Sequence, residues 1–231
     1  MTRRRAAKAE CVAMPRRLPA MKHRHLLALL LAVANASAFA ADEFLLPASQ
    51  EVAGASQSQW SRKWWQWALS FDAEDSPVAD RTGALCRAGQ QGPVWFLAGG
   101  YGNSRVVREC TVPAGKHLFF PLANYVAMPT EGGAPTCELM MRDARQITDG
   151  ASQLVLRIDG QPQPGLEAHR VDSRGCFDAG ARRSPPEAAF PSAGNGYYVM
   201  LKPLPPGKHV IEFGAVLPTV TQAITYKLTV R

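Results

Sequence analysis

From Pro93 onward the period shortens to two and strands dominate, in short apolar or alternating runs separated by Gly- and Pro-rich punctuation. PVWFLAG (Pro93–Gly99) is a short continuous apolar run of the kind that fills a sheet centre, and SRVVRECTV (Ser104–Val112), KHLFFPL (Lys116–Leu122) and SQLVLRIDG (Ser152–Gly160) follow it as strands. So do GLEAHRVDS (Gly165–Ser173), YYVMLKPL (Tyr197–Leu204), KHVIEFGAVL (Lys208–Leu217) and AITYKLTVR (Ala223–Arg231). Successive strand side chains point to opposite faces, so a period of two buries one face of each run. Many short strands with turn signals between them predict a mainly β chain, a β-sandwich or jelly-roll-like fold. The turn GGYGNS (Gly99–Ser104) lacks the G-x-x-x-x-G-K-S/T pattern and feeds a strand, which excludes a phosphate loop.

Two segments depart from this period. In SQSQWSRKWWQWALSF (Ser56–Phe71), Trp60, Trp64, Trp67, Ala68 and Phe71 recur at helical spacing, and Ser56 or Ser58 can cap the start. This predicts an N-terminal Trp-rich amphipathic helix whose aromatic stripe packs on a sheet. Trp65 falls off the stripe and is the ring left for a ligand. CELMMRDARQI (Cys137–Ile147) predicts one short additional helix, and Asp178–Gly196, rich in Ala, Pro, Gly and Arg, a long surface loop.

The front of the chain reads as a secretory leader. Met21–Ala40 has a basic start (Lys22, Arg24), an apolar run from Leu26 to Ala34 and the small-residue site Ala38-Phe39-Ala40, which places cleavage before Ala41. Ala36-Ser37-Ala38 offers a second site two residues earlier. The run is shorter than the roughly 20 residues that span a bilayer. Met21 is read as the true start, so residues 1–40 form leader and signal peptide and residues 41–231 a single domain. Eight of the 26 Lys and Arg and one of the 19 Asp and Glu lie in residues 1–40, which leaves 18 of each in the remainder. The basic pI therefore belongs to the leader, and the neutral remainder gives no footprint for nucleic acid or, after signal cleavage, for a membrane surface.

Four of the five cysteines lie beyond the leader: Cys86, Cys110, Cys137 and Cys176. An even number in an exported chain predicts two disulfides, with three pairings open. Pairing neighbours along the chain, Cys86 with Cys110 and Cys137 with Cys176, is the favoured choice. No two of them have the close spacing of a zinc site.

The block from Trp60 to Phe71, QGPVWFLAG after Cys86, CTVPAGKHLFFPLAN (Cys110–Asn124), and PLPPGKHVIEF with ITYKLTV near the end make a set. With them the chain resembles a family of exported bacterial proteins that share the Trp-rich helix and these motifs. The resemblance covers Trp60 to Arg231 and implies one domain from the helix to the C-terminus. It implies no activity, cofactor or catalytic residue.

Candidate functional residues are few. P-x-G-K-H occurs twice, ending at His117 and at His209, each followed by an apolar strand. A metal site could draw on His117, His169 and His209 with Glu131, Glu167 or Asp172, but no H-x-H or H-E-x-x-H spacing supports it. No G-x-S-x-G elbow exists, and Ser104 and Ser192 have no base beside them in sequence. Carboxylate pairs could be drawn from Asp72, Asp75, Glu131, Asp159 and Asp172; Asp72, Glu74, Asp75 and Asp80 lack the spacing of a calcium loop. The expectation is a periplasmic or extracellular binding or structural module, without cofactor or metal, for an envelope or extracellular ligand such as a saccharide or small molecule. Trp65, Tyr101, Tyr125, His117 and His209 are the candidate contacts, with Tyr197 and Tyr198 behind them. The alternative is a secreted hydrolase or metal-dependent enzyme using His117 and His209, which requires those imidazoles to converge with a carboxylate.

Overall fold

The period-two runs form two mixed five-stranded sheets packed as a β-sandwich. The computed structural model describes residues 44–231, without Pro186 and the Ser104 side chain, so the leader and signal peptide lie outside the described residues. The first sheet holds β1 (Leu45–Leu46), β8 (Ala193–Leu201), β4 (His117–Ala127) and β2 (Val94–Phe96), with β7 (Arg170–Asp172) also paired to β8. The second runs β3 (Ser104–Val112), β10 (Thr221–Val230), β9 (Gly207–Val216), β5 (Ser152–Ile158) and β6 (Gln161–Pro162). Pairing is antiparallel except for β2 with β4 and β3 with β10. Those parallel pairs give a sandwich with mixed sheets and not the wholly antiparallel pairing of a jelly roll.

Between the sheets lies the main core. Leu118, Phe120, Leu122, Val199 and Leu201 from the first sheet meet Ile158, Ile211, Phe213, Ile224, Tyr226 and Leu228 from the second. The other face of the first sheet carries Val94, Phe96, Phe119, Tyr198 and Met200, which pack on helix α1 (Gln57–Ala68). Helical spacing delivers Trp60, Trp64, Trp67 and Ala68 to that face, and Trp67 has no exposed surface. Ser56 caps the helix in a capping box with Gln59, each side chain serving the other's backbone amide. Phe71 lies beyond the helix end but still packs edge-on against Trp67, at 6.2 Å between ring centroids.

Helix α2 (Cys137–Asp149) rests on the far end of the first sheet through Met140 and Ala144. Cys137–Cys176 ties its first turn to the segment after β7, and Cys86–Cys110 ties the strand-free stretch before β2 to β3. Two such disulfides fit an oxidising compartment. Among the described residues no helix is long and apolar enough to cross a membrane.

Two local expectations are corrected. Gly165–Ser173 is not one strand: Gly165, at φ 71°, starts a 3-10 turn, η1 (Leu166–His169), and only Arg170–Asp172 pairs with β8. Leu166 and His169 are both buried, three apart on one side of a 3-10 turn, which an alternating pattern imitates over so few residues. The predicted loop 178–196 ends earlier, because Ala193–Gly196 already pair with β4. The short strands β1 and β6, two residues each, carry no periodic signal of their own.

Candidate functional site

The site begins with a proline in a central strand. Pro121 has no amide hydrogen to give the β4–β8 ladder, and the register shifts there, pairing Pro121 with Tyr198 and then Ala123 with Tyr197. The irregularity leaves the carbonyls of Pro121 and Leu122 to the side chain of Gln222 on β10, whose Nε2 donates to them at 3.4 and 3.0 Å. The other end of that amide, Oε1, accepts from the Gly100 amide at 2.9 Å. One side chain thus fastens the bulge of the first sheet to the glycine turn 99–102. Gly99 is needed for this, since a Cβ there would meet Gln222 Oε1 at 2.5 Å.

Arg108 of β3 anchors the same turn from beneath. It is 1% exposed. Its Nη1 donates to the carbonyls of Ala98 and Gly99, both at 2.8 Å. Nη2 reaches the Val78 carbonyl at 3.1 Å, Nε the Asp80 carbonyl at 2.7 Å, and the guanidinium lies over the Tyr226 ring. A buried charge is tolerable when its donors are met in this way.

Bulge, turn and helix leave a cavity of about 200 Å³ among them. Trp64 and Trp65 of α1, Tyr101 of the glycine turn, and Asn124 and Tyr125 of β4 line it, with Ile147 of α2. Leu217, Thr219 and Val220, from the β9–β10 turn of the other sheet, also contribute. Trp64 is held by its Nε1 donating to the Leu97 carbonyl at 3.0 Å, and its ring meets Trp65 edge-on with centroids 5.0 Å apart. Gly194 lies against the Trp65 indole; a Cβ there would sit 3.2 Å from it. Asn124 Nδ2 donates to the Tyr198 hydroxyl at 3.2 Å, which leaves Asn124 Oδ1 as an acceptor. Burial pushes the Tyr198 hydroxyl well above tyrosine's ordinary value, so it stays protonated as a fixed partner. Trp65 Nε1 is a buried donor outside hydrogen-bonding limits of any acceptor, yet near enough to favour the charged form of Tyr198.

Among the described residues, no Asp, Glu, Lys, Arg or His lines this cavity. Its polar groups are amides, hydroxyls and backbone. The chemistry these groups offer is apolar contact and neutral hydrogen bonding.

Trp65, Tyr101 and Tyr125, far apart in sequence, come together here. His117 and His209 are not among the lining residues. His117 starts β4 opposite Val94; its Nδ1 is buried without a partner, and burial lowers its pKa. His209 is bound on both nitrogens, Nδ1 at 2.7 Å from Asp159 Oδ2 and Nε2 at 2.9 Å from the Pro205 carbonyl. Among the described residues, no three His, Cys, Asp or Glu side chains are grouped to hold a metal ion. Tyr197 is partly buried on the sandwich core and Tyr198 fully buried under α1.

The acidic loop is built for its own backbone. Asp80 accepts from the amides of Thr82, Gly83 and Leu85 at 2.8 to 3.0 Å, and its pKa is lowered as these bonds outweigh the burial that raises it. Asp72 pairs with Arg183. Sequence reasoning passed over Asn124, Gln222 and the Leu217–Val220 turn; the one available signal was Pro121 inside an apolar strand, which marks a bulge. No known protein family, curated protein or solved structure matches the chain.

Proposed function

We propose that this protein is an exported, periplasmic or extracellular binding module for a small neutral molecule, first of all a saccharide ring. The observation that carries the reading is the cavity lining: aromatic and aliphatic side chains with a few amides and hydroxyls, tyrosine being the sole ionisable type among the described residues. A sugar ring has an apolar C–H face and a rim of hydroxyls. The face suits the indole of Trp65 and the ring of Tyr125, and the rim suits Asn124 Oδ1 and the Thr219 hydroxyl. A volume of about 200 Å³ lies below the roughly 300–1,000 Å³ of drug-sized ligand sites, which favours a single ring over a large cofactor. The two disulfides support the oxidising compartment.

The test is a thermal-shift screen of the protein, disulfides intact, against neutral mono- and disaccharides, with charged sugars as controls. A ligand at a hundredfold its Kd adds roughly 2.7 kcal/mol, a rise of several degrees in Tm for a domain this size. Trp65→Ala and Tyr125→Ala are expected to abolish the shift. A shift that survives both substitutions, or no shift with any neutral sugar, overturns the reading.

A further inference from the structure

Tyr125 lines two spaces: the aromatic cavity and an open groove of about 510 Å³ beside it. The groove runs between the segment after β4 and helix α2; Ala127, Met128, Pro135, Leu139 and Met140 form its apolar wall, with Thr130 and Gly133 among its polar and backbone surface. Its one carboxylate, Asp143, is 3.7 Å from the guanidinium of Arg142. Tyr125 and Met128 are 40% and 41% exposed, so apolar surface stands open to solvent along this path. A second sugar would need rings to stack on and partners for its hydroxyls, and beyond Tyr125 the groove offers no ring. An alkyl chain needs an apolar wall, and the exposed Met128 adapts to its shape.

We infer that the ligand carries an apolar chain on its neutral ring, the ring in the aromatic cavity and the chain passing Tyr125 into the Met128–Met140 groove, as in an alkyl or acyl glycoside. This rests on the cavity being the ring site. Continuity through one shared side chain is the reason to assign both spaces to one molecule rather than to two.

Methyl and hexyl β-glucosides and β-galactosides, kept below their micellar concentrations, separate the two claims by titration calorimetry. The hexyl compound of the sugar that binds should bind about 30-fold tighter than its methyl partner, the gain for five added methylenes each half buried. Met128→Asp, a change at an exposed position, should erase that gain and leave methyl glycoside binding unaltered. Equal affinities for methyl and hexyl compounds overturn the chain groove and leave the ring site standing, as does a hexyl advantage that survives Met128→Asp. Failure of all four glycosides to bind removes the ring site and the groove proposal with it.

Discussion

The two sheets bury their residues differently. The first is covered on both faces, by the second sheet and by α1, and its β8 reads AGNGYYVML with eight of nine residues buried. The second is covered on one face only, and β10 (TQAITYKLTV) buries alternate residues from Ile224 to Val230. Its outer face leaves Val107, Val155 and Val210 exposed. The covered sheet leaves little surface free to solvent, and the aromatic cavity forms where its ladder is broken. That happens at the Pro121 bulge, and the cavity lies there. Among the described residues, the solvated sheet contributes to the site through Gln222, Ala215 and its β9–β10 turn.

The difference can be probed by substitution. Trp67→Ala removes a fully buried indole from the layer over the first sheet and should cost about 3–5 kcal/mol, read as a lowered urea midpoint. A loss below 1 kcal/mol would mean that α1 is not integral to that sheet.

The two P-x-G-K-H turns place one histidine in each sheet, and this sharpens the comparison. Burial holds His117 below the ordinary 6.5, so as pH falls through that value the unfolded chain binds a proton that the folded protein resists. Stability at His117 is therefore lost on acidification. His117→Gln should flatten the fall in Tm between pH 8 and pH 5.5; an unchanged profile would show that the imidazole is not desolvated. His209 sits in the other sheet within hydrogen-bonding distance of Asp159 and the Pro205 carbonyl.

The smallest effect belongs to the solvated face. Val155→Thr keeps the β-branch on an exposed position and should change stability by no more than about 0.5 kcal/mol. A cost several times larger in the same urea titration would reveal that the outer face is covered in solution.

Much of this was legible beforehand, for reasons that differ by element. The Trp helix was readable because 3.6-residue spacing is a property of the local chain, while its cap was narrowed only to Ser56 or Ser58, of which Ser56 takes the role. The spans of β3 and β9 followed from alternation, and the Cys86–Cys110 and Cys137–Cys176 pairs from neighbourhood along the chain. Trp65 stood out because it broke the stripe. Gln222 gave no such signal: it is one polar residue in an alternating strand, and its role depends on a bulge 100 residues away.

Local periodicity, charge balance and cysteine count by themselves determined a disulfide-bearing, mainly β chain with an aromatic helix, because each reflects interactions within a few residues or a bulk property. The tertiary structure alone decided which strands run parallel, where Pro121 shifts the ladder, and that Trp65, Tyr101, Asn124, Tyr125 and Leu217 surround one space. Those outcomes depend on register and packing between distant segments. A cavity belongs to the arrangement of walls drawn from several elements, and no single stretch of chain encodes it.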